Sequence, residues 1–378
     1  MQLAATRPAV MVTGARQTGR TSLLRRTFPG HHFVSLDLPS EAELAERAPE
    51  DFFARNPAPL IIDEVQYAPA LFRHLKVRID ADRGANGQWL LTGSQRFPLM
   101  REVGDSLAGR IGLVELDTLS YSEVRASIPG TDALSWIVRG GFPELWAQPD
   151  IAAREFQRAY LVSYLERDLR SLLQVTNLRD FERFLRACAQ RSGQLLNKSD
   201  VARDVGVSVP TVTSWLGALE ASGVVALLEP WFENGTRALT KSPKLYFRDT
   251  GLLLALVNLR DAAALADSPL RGPIFETAVY GMLRRALELR GERESLFFVR
   301  HAQHEVDFVL HRGGRFDLFE CKWTEFPDRR DGQAMRRVAE LLGEARIGRR
   351  FVVCRSPHRA PVDDTCDAIP LEALTDVV

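Results

Sequence analysis

The stretch GARQTGRTS carries residue types and a spacing that suit phosphate binding. Glycines let backbone N–H groups turn toward a phosphate, and the start of a helix adds positive potential at the same point. The spacing is that of the phosphate-binding loop G-x-x-x-x-G-K-[ST], with Arg20 in place of the lysine. The predicted binding residues are Gly14, Ala15, Arg16, Gln17, Thr18, Gly19, Arg20, Thr21 and Ser22.

A second element is the apolar run PLIIDE, which ends in Asp63 and Glu64. This is the Walker B pattern. We predict that Asp63 holds Mg²⁺ together with the Thr21 hydroxyl, and that Glu64 orients or activates the attacking water. The alternative is a buried strand that ends in two solvated acids. The order of the two motifs on successive strands favours the nucleotide site.

Two further positions complete the predicted site. The run QWLLTGSQ ends in Thr92, Ser94 and Gln95, and we favour Ser94 as the side chain beside the γ-phosphate. The alternative is an ordinary turn after a strand. Arg110 could supply positive charge to the transition state, either within its own chain or from a neighbouring subunit.

Another set of charged residues lies near the C-terminus. Glu276 falls on a helical pattern, Asp307 in the run HEVDFVLH, and Glu320 and Lys322 in RFDLFECK. Side chains two positions apart on a strand share a face, so Glu320 and Lys322 point the same way. Gln333 opens the next helical pattern.

This order resembles the restriction-endonuclease-like core, written PD-(D/E)XK. The resemblance implies that Asp307 and Glu320 hold Mg²⁺, that Glu276 completes the metal site, and that Lys322 orients the attacking water or stabilises charge on the scissile phosphate. Val306 stands where the motif has proline. The alternatives are a polar edge of an α/β domain, or a domain that binds nucleic acid without cleaving it.

The elements that position these residues fall into three zones. Residues 1–125 alternate short apolar runs with helical patterns, which predicts a parallel α/β sheet. Residues 126–265 are mostly helical. Residues 266–378 return to strands between two long amphipathic helices, which predicts a second α/β domain.

The middle zone contains NKSDVARDVGVSVPTVTSWLGALEASGVVALLE, which reads as helix, turn, helix and strand. This resembles a winged helix-turn-helix. The second helix contains no lysine or arginine, whereas DNA readers usually anchor on phosphate with basic residues. We therefore prefer a packing module over sequence-specific DNA binding.

Composition excludes several classes of protein. Lys+Arg and Asp+Glu both number 49, so no overall positive charge points to nucleic acid. The four cysteines form no C-x-x-C, which suits a reducing cytoplasm. The longest apolar run is far shorter than a membrane span. We predict a cytoplasmic protein without a membrane partner.

The motifs together resemble a family of prokaryotic AAA-type ATP-binding proteins with a C-terminal domain of unknown function. The matching segments also include LAGRIGLVELDTLSYSE, GGFPELW and GPIFETAVY. The resemblance implies ATP as the ligand. The family usually has lysine at Arg20, and a guanidinium is wider than an ammonium and planar. We therefore predict ATP binding with weak or altered hydrolysis.

Three functions remain open from the sequence. In the first, the nucleotide state controls a nuclease-like module that acts on nucleic acid, with DNA as the candidate partner. In the second, the chain is a non-enzymatic nucleotide-binding regulator or scaffold for DNA or a protein partner. In the third, it is a Mg²⁺-dependent nuclease with a vestigial ATPase core. A homo-oligomer is compatible with all three.

Overall fold

The computed structural model describes residues 2–93, 107–164, 178–232, 242–292, 295–301 and 303–378. Residue contacts divide the chain into two compact units. One is Met1–Thr118 with Ala221–Gly223, and the other is Leu119–Glu220 with Val224–Val378. The predicted boundary near residue 265 falls inside the second unit.

The first unit is built on a parallel sheet, as its apolar runs predicted. Its strands are β1 (Ala9–Gly14), β2 (His32–Ser35), β3 (Leu60–Asp63), β4 (Trp89–Gly93) and β5 (Ile111–Leu116). Within the described residues they lie in the order β2-β3-β4-β1-β5, and every neighbouring pair is parallel. The carboxyl ends of all five strands therefore meet at one edge of the sheet.

Helices cover this sheet. They are α1 (Gln2–Thr6), α2 (Arg20–Thr27), α3 (Pro39–Arg47), α4 (Pro49–Arg55) and α5 (Leu71–Ala81). Helix α1 precedes β1. Phe52, Phe53, Leu71 and Phe72 are buried in a core with the strand residues Leu60 and Ile62.

The second unit begins with helices, and its larger hydrophobic core includes residues from Tyr121 to Val378. Its helices are α6 (Tyr121–Ser127), α7 (Ala133–Arg139), α8 (Pro143–Ala147), α9 (Ala153–Tyr164), α10 (Leu178–Ala189), α11 (Lys198–Val205), α12 (Val209–Ala221), α13 (Thr250–Leu256), α14 (Ala262–Asp267), α15 (Arg271–Arg290), α16 (Gln333–Leu342) and α17 (Leu374–Val377). Residues on both sides of position 265 contribute to this core.

The predicted helix–turn–helix is formed by α11 and α12. Asn197 accepts hydrogen bonds from the first backbone N–H groups of α11, and Gly206 ends that helix with a φ of 83°. Trp215 on α12 is buried, and its ring lies 5.0 Å from the ring of Phe181 and 5.3 Å from that of Phe184. Trp215 is therefore a core residue.

Two antiparallel or mixed sheets complete the second unit within the described residues. The smaller one joins β6 (Gln194–Leu195), β7 (Val225–Leu228) and β8 (Lys244–Phe247) in the order β6-β8-β7. The larger one joins β9 (Leu296–His301), β10 (His304–Arg312), β11 (Arg315–Cys321), β12 (Ile347–Cys354), β13 (Ala360–Asp363) and β14 (Cys366–Pro370) in the order β13-β14-β12-β11-β10-β9. The sequence did not predict β13 and β14.

Alternation along the larger sheet explains how its two faces are covered. Phe308, Phe319 and Phe351 pack in the core that includes α15. Val309 and Leu318, which lie on neighbouring strands, pack in a separate core with α16. Helices α15 and α16 therefore cover opposite faces of the larger sheet. No helix in the described ranges is long and apolar enough to cross a membrane.

Candidate functional site

The predicted phosphate loop connects the buried strand β1 to helix α2. Gly14 has a φ of 143°, and a Cβ at this position would lie 2.1 Å from the carbonyl oxygen of Leu116 on β5. Only glycine fits here. Gly19 has a φ of 88° and immediately precedes α2, and the Thr18 hydroxyl donates to the Ala15 carbonyl oxygen at 2.9 Å. The loop is thus fixed by its own backbone at the start of a helix, which is the arrangement that binds anions.

Asp63 is held by three hydroxyl groups. Its Oδ1 accepts from Thr21 Oγ1 at 2.5 Å and from Thr92 Oγ1 at 2.7 Å, and its Oδ2 accepts from Ser35 Oγ at 3.2 Å. Strands β2 and β4 and the start of α2 each supply one of these groups. The structure therefore brings Thr21 and Asp63 together, as the predicted Mg²⁺ pair requires.

Arg20 and Glu64 form an ion pair at the same edge of the sheet. Arg20 Nη2 lies 3.1 Å from Glu64 Oε1, and the arginine side chain is 6% exposed. Glu64 has a φ of 56°, its backbone N–H donates to Thr92 Oγ1 at 3.0 Å, and Gln66 Nε2 donates to its second carboxylate oxygen. The residue at the lysine position of the loop thus contacts the predicted catalytic glutamate.

The other loop residues differ in exposure. Gln17 and Ser22 are exposed, and Arg16 is half-buried. Gln17 also has a φ of 59°, which is unusual for a residue with a side chain. Ser94, the favoured side chain beside the γ-phosphate, lies outside the described residues, as does Gln95.

Arg110 does not lie at the predicted site of its own chain. It precedes β5, whose first residue pairs with Ala9 at the amino end of β1, roughly 16 Å of extended strand from the loop. Its guanidinium forms two hydrogen bonds with the Asp80 carboxylate, at 2.8 and 2.9 Å. The predicted role within one chain is therefore wrong, because the residue stands before its strand rather than after it. A role across a subunit interface stays a prediction.

A lysine that the sequence analysis did not single out joins the C-terminal acids. Lys244 Nζ, on β8, lies 2.8 Å from Glu276 Oε1, 2.6 Å from Glu305 Oε1 and 3.1 Å from Asp307 Oδ1. Tyr246 donates from its hydroxyl to Glu276 Oε1 at 2.6 Å. We call Glu276, Glu305, Asp307 and Glu320 the C-terminal carboxylate cluster.

Glu320 and Lys322 close this cluster at the end of β11. Lys322 Nζ donates to Glu320 Oε1 at 2.9 Å, as expected for two side chains on one face of a strand. The other oxygen, Glu320 Oε2, is buried and receives no hydrogen bond from the described residues. The Cys321 backbone N–H donates to Asp307 Oδ2 at 2.9 Å, which joins β10 and β11 at the cluster.

The predicted metal site at Glu276, Asp307 and Glu320 is not formed. Across the described ranges, no group of three or more His, Cys, Asp or Glu side chains has an arrangement that could hold a metal ion. The physical reason is the Lys244 ammonium, which already binds Glu276 and Asp307. These residues therefore do not fit a metal ion while Lys244 is in place.

Burial and mutual repulsion set the charges in the cluster. Burial and the nearby Asp307 charge raise the pKa of Glu276 to about 7, and they raise the pKa of Glu320 well above its ordinary value. Burial alone would lower the pKa of Lys244, but the charges of Asp307 and the other carboxylates outweigh burial and raise it. Lys244 is therefore charged at neutral pH.

Comparisons with known proteins agree with this geometry. Residues 6–125 match the family described as AAA domain, and residues 130–263 and 271–374 match two domains of unknown function, DUF8612 and DUF4143. An uncharacterized protein of Mycobacterium tuberculosis is 32% identical over 370 residues, which cover 97% of this chain and 81% of the relative. The chain belongs to the AAA-type ATPase family.

Two more distant similarities were found for this AAA-type protein. An uncharacterized protein of Methanocaldococcus jannaschii is 24% identical over 333 residues, covering 79% of this chain and 71% of the relative. The Walker-type ATPase of Pyrococcus abyssi is 14% identical in a solved structure, with a TM-score of 0.44 and coverage of 68% of this chain and 93% of that chain.

Five site residues of this AAA-type protein escaped the sequence analysis, namely Ser35, Gln66, Lys244, Tyr246 and Glu305. Ser35 lies opposite Asp63 in the register of β2 and β3, and its position at the end of a strand was the available signal. Gln66 follows Glu64 by two residues. Lys244 is the one charged residue in the buried strand KLYF, and a buried charge implies a partner.

Proposed function

We propose that this protein binds ATP at the loop from Gly14 to Ser22, hydrolyses it slowly, and uses its nucleotide state to control a C-terminal nuclease-like module that acts on nucleic acid. The observation that carries the first part is the ion pair between Arg20 and Glu64. We expect this activity in the cytoplasm.

The first step is nucleotide binding. The backbone N–H groups of the loop and the start of α2 would contact the phosphates, and Arg20 would attract them by charge. Mg²⁺, when bound with ATP, supplies positive charge to the phosphate oxygens. Thr21 and Asp63 would hold it, since their oxygen atoms already lie 2.5 Å apart and both are hard oxygen ligands.

The second step explains slow hydrolysis. Glu64 must orient a water molecule, but one of its oxygens contacts Arg20 and the other accepts from Gln66. While Arg20 Nη2 contacts Glu64 Oε1, that nitrogen is not available to the γ-phosphate and that oxygen is not available to water. A misplacement of about 1 Å at a reacting group can cost on the order of 100-fold in rate. We therefore expect the protein to bind ATP and to hydrolyse it slowly.

The third step concerns the C-terminal module. We assign Lys322 to nucleic-acid contact, because its ammonium is partly exposed at the end of β11. The winged-helix-like segment of α11, α12 and the β6-β8-β7 sheet would link this module to the rest of the chain. Metal-dependent cleavage has no place in this step, because Lys244 occupies the carboxylates that such a step would need. A homo-oligomer would give Arg110 a role at a neighbour's site.

The test uses the full-length protein with a fluorescent ATP analogue, Mg²⁺, and single- and double-stranded DNA. We expect Glu64→Gln to retain nucleotide binding and to lose turnover, with exposed Glu43→Gln as its control. We expect Lys322→Ala to weaken DNA binding, with Lys198→Ala as its control. Failure to bind ATP would contradict the proposal.

The second candidate function is a non-enzymatic nucleotide-binding regulator or scaffold. Two observations favour it: Arg20 contacts Glu64, and the Lys244 ammonium contacts the carboxylates of Glu276 and Asp307. The same experiment separates the two candidates. ATP binding without turnover or DNA cleavage would support the scaffold, whereas DNA cleavage that is indifferent to ATP and to Glu64→Gln would support a nuclease with a vestigial ATPase core.

A further inference from the structure

The Lys244 ammonium is enclosed by acidic side chains. Its Nζ lies within 3.1 Å of one oxygen from each of three carboxylates, those of Glu276, Glu305 and Asp307. A lysine ammonium has three N–H donors and no acceptor, so each donor can meet one carboxylate. The Lys244 side chain is 2% exposed, which means that water contributes little to its solvation.

The ammonium occupies the position that a metal ion would need. Mg²⁺ binds oxygen ligands at about 2.0–2.1 Å, with strict octahedral geometry. Glu276 and Asp307 instead converge on a nitrogen atom at hydrogen-bonding distance. A metal ion between these two carboxylates would overlap with Nζ and would be repelled by its charge.

The fold holds this lysine firmly. Lys244 is the first residue of β8, where its backbone pairs with Leu228 of β7 and Leu195 of β6. Tyr246, two residues later on the same face, donates to Glu276. Strand β8 therefore delivers two groups to the cluster.

Glu320 gives independent evidence that the cluster has capacity for a further cation. Its side chain is 9% exposed, and Oε2 receives no donor from the part of the chain that the structure describes. If Lys244 lost its charge, Glu276 and Asp307 would also lose a partner. Glu276 and Asp307 would then each have an oxygen that has lost the Lys244 contact, and Glu320 Oε2 receives no hydrogen bond from the described residues. At least three carboxylates could then bind another cation.

We propose that Lys244 is the resident cation of the C-terminal carboxylate cluster and that it excludes divalent metal ions from Glu276 and Asp307. The lysine lies in the segment that matches DUF8612, whereas the acids lie in the segment that matches DUF4143. The charge that completes the C-terminal cluster thus comes from the preceding part of the chain. This inference does not depend on ATP binding, since all of these residues lie in the second unit.

The test measures Mn²⁺ binding to full-length protein without nucleotide, by electron paramagnetic resonance of the free ion. Wild type and Glu276→Gln should therefore bind the same number of Mn²⁺ ions per chain. Lys244→Met, which keeps a similar side-chain length, should gain one site per chain and bind Mn²⁺ about tenfold tighter or more. The double variant Lys244→Met/Glu276→Gln should lose that site, and exposed Lys76→Met should match wild type.

Folding is followed in parallel, because loss of a buried cation destabilises its acidic partners. If Lys244→Met unfolds in chelator, Mn²⁺ should restore its circular dichroism and its thermal transition. Two results would overturn the proposal. One is a wild-type Mn²⁺ site that disappears in Glu276→Gln, and the other is a Lys244→Met chain that neither binds Mn²⁺ nor is refolded by it.

Discussion

Arg20 Nη2 lies 3.1 Å from Glu64 Oε1, so the cation of the phosphate loop contacts the acid that should act on water. A lysine at this position has one compact ammonium, whereas a guanidinium has five N–H donors in a planar fork. Arg20 can therefore contact Glu64 through Nη2 while its other guanidinium nitrogens point away from that carboxylate. We predict that this ion pair permits nucleotide binding and slows nucleotide hydrolysis.

Gly14→Ala should damage the phosphate loop. The added Cβ would lie 2.1 Å from the Leu116 carbonyl oxygen, at a φ of 143° that residues with side chains rarely adopt. We expect a loss of about 1–3 kcal/mol of stability in the first unit and weaker ATP binding. Gly30→Ala is the control, because a Cβ there meets nothing within 4 Å. Thermal unfolding with and without ATP checks both effects, and equal behaviour of the two variants would contradict the geometry.

Arg110→Gln should leave ATP turnover unchanged in dilute protein. Its guanidinium binds Asp80 at the amino end of the sheet, and this hydrogen bonding lowers the pKa of Asp80 to about 2. A lowered pKa stabilises the fold above the ordinary value near 3.8, and that contribution is lost as pH falls toward 2. In the variant, NMR titration should show the Asp80 pKa closer to its ordinary value. A large loss of turnover that grows with protein concentration would instead indicate a role at a neighbouring subunit.

Glu276→Gln should make stability less dependent on pH. The pKa of Glu276 is raised from 4.5 to about 7, so the folded state keeps its proton over a range where the unfolded state has lost it. Stability of the wild type should therefore fall as pH rises from 4.5 to about 7 and then level off. The expected difference is up to about 3 kcal/mol, because one pKa unit corresponds to about 1.4 kcal/mol.

Urea unfolding at about pH 5 and about pH 8 checks this expectation. The amide oxygen introduced by Glu276→Gln could still accept the hydrogen bonds from Lys244 and Tyr246, so the variant should fold. Exposed Glu340, which pairs with Arg337 at 3.1 Å, provides the control substitution Glu340→Gln. The same pH dependence in all three proteins would refute the assigned titration.

Local sequence pattern predicted where the loop and the two acids of the candidate nucleotide site lie in the fold. Glycine spacing after an apolar strand located the loop, and a second apolar strand located Asp63 and Glu64. Each signal lies within one short stretch of sequence. Parallel strands place their carboxyl ends at one edge of the sheet, which brings the two stretches together. The same rule should have placed Arg110 at the opposite edge, since that residue precedes its strand.

The contacts that depend on tertiary packing were not predictable in the same way. Ser35 meets Asp63 only through strand pairing, and Lys244 meets Glu276 across 32 positions of sequence. The strands β13 and β14 are short and carry proline and aspartate, so their pattern resembled a loop. A charged residue inside an otherwise apolar strand was the one local sign of the buried Lys244.

The most direct test of the central claim compares ATP binding and ATP turnover in wild type and Arg20→Lys. Titration calorimetry measures binding, and phosphate release measures turnover in the same preparations. We predict that both proteins bind ATP, and that Arg20→Lys turns it over about tenfold faster or more, because lysine releases Glu64. Equal turnover in the two proteins at a rate typical of AAA-type ATPases would contradict the claim.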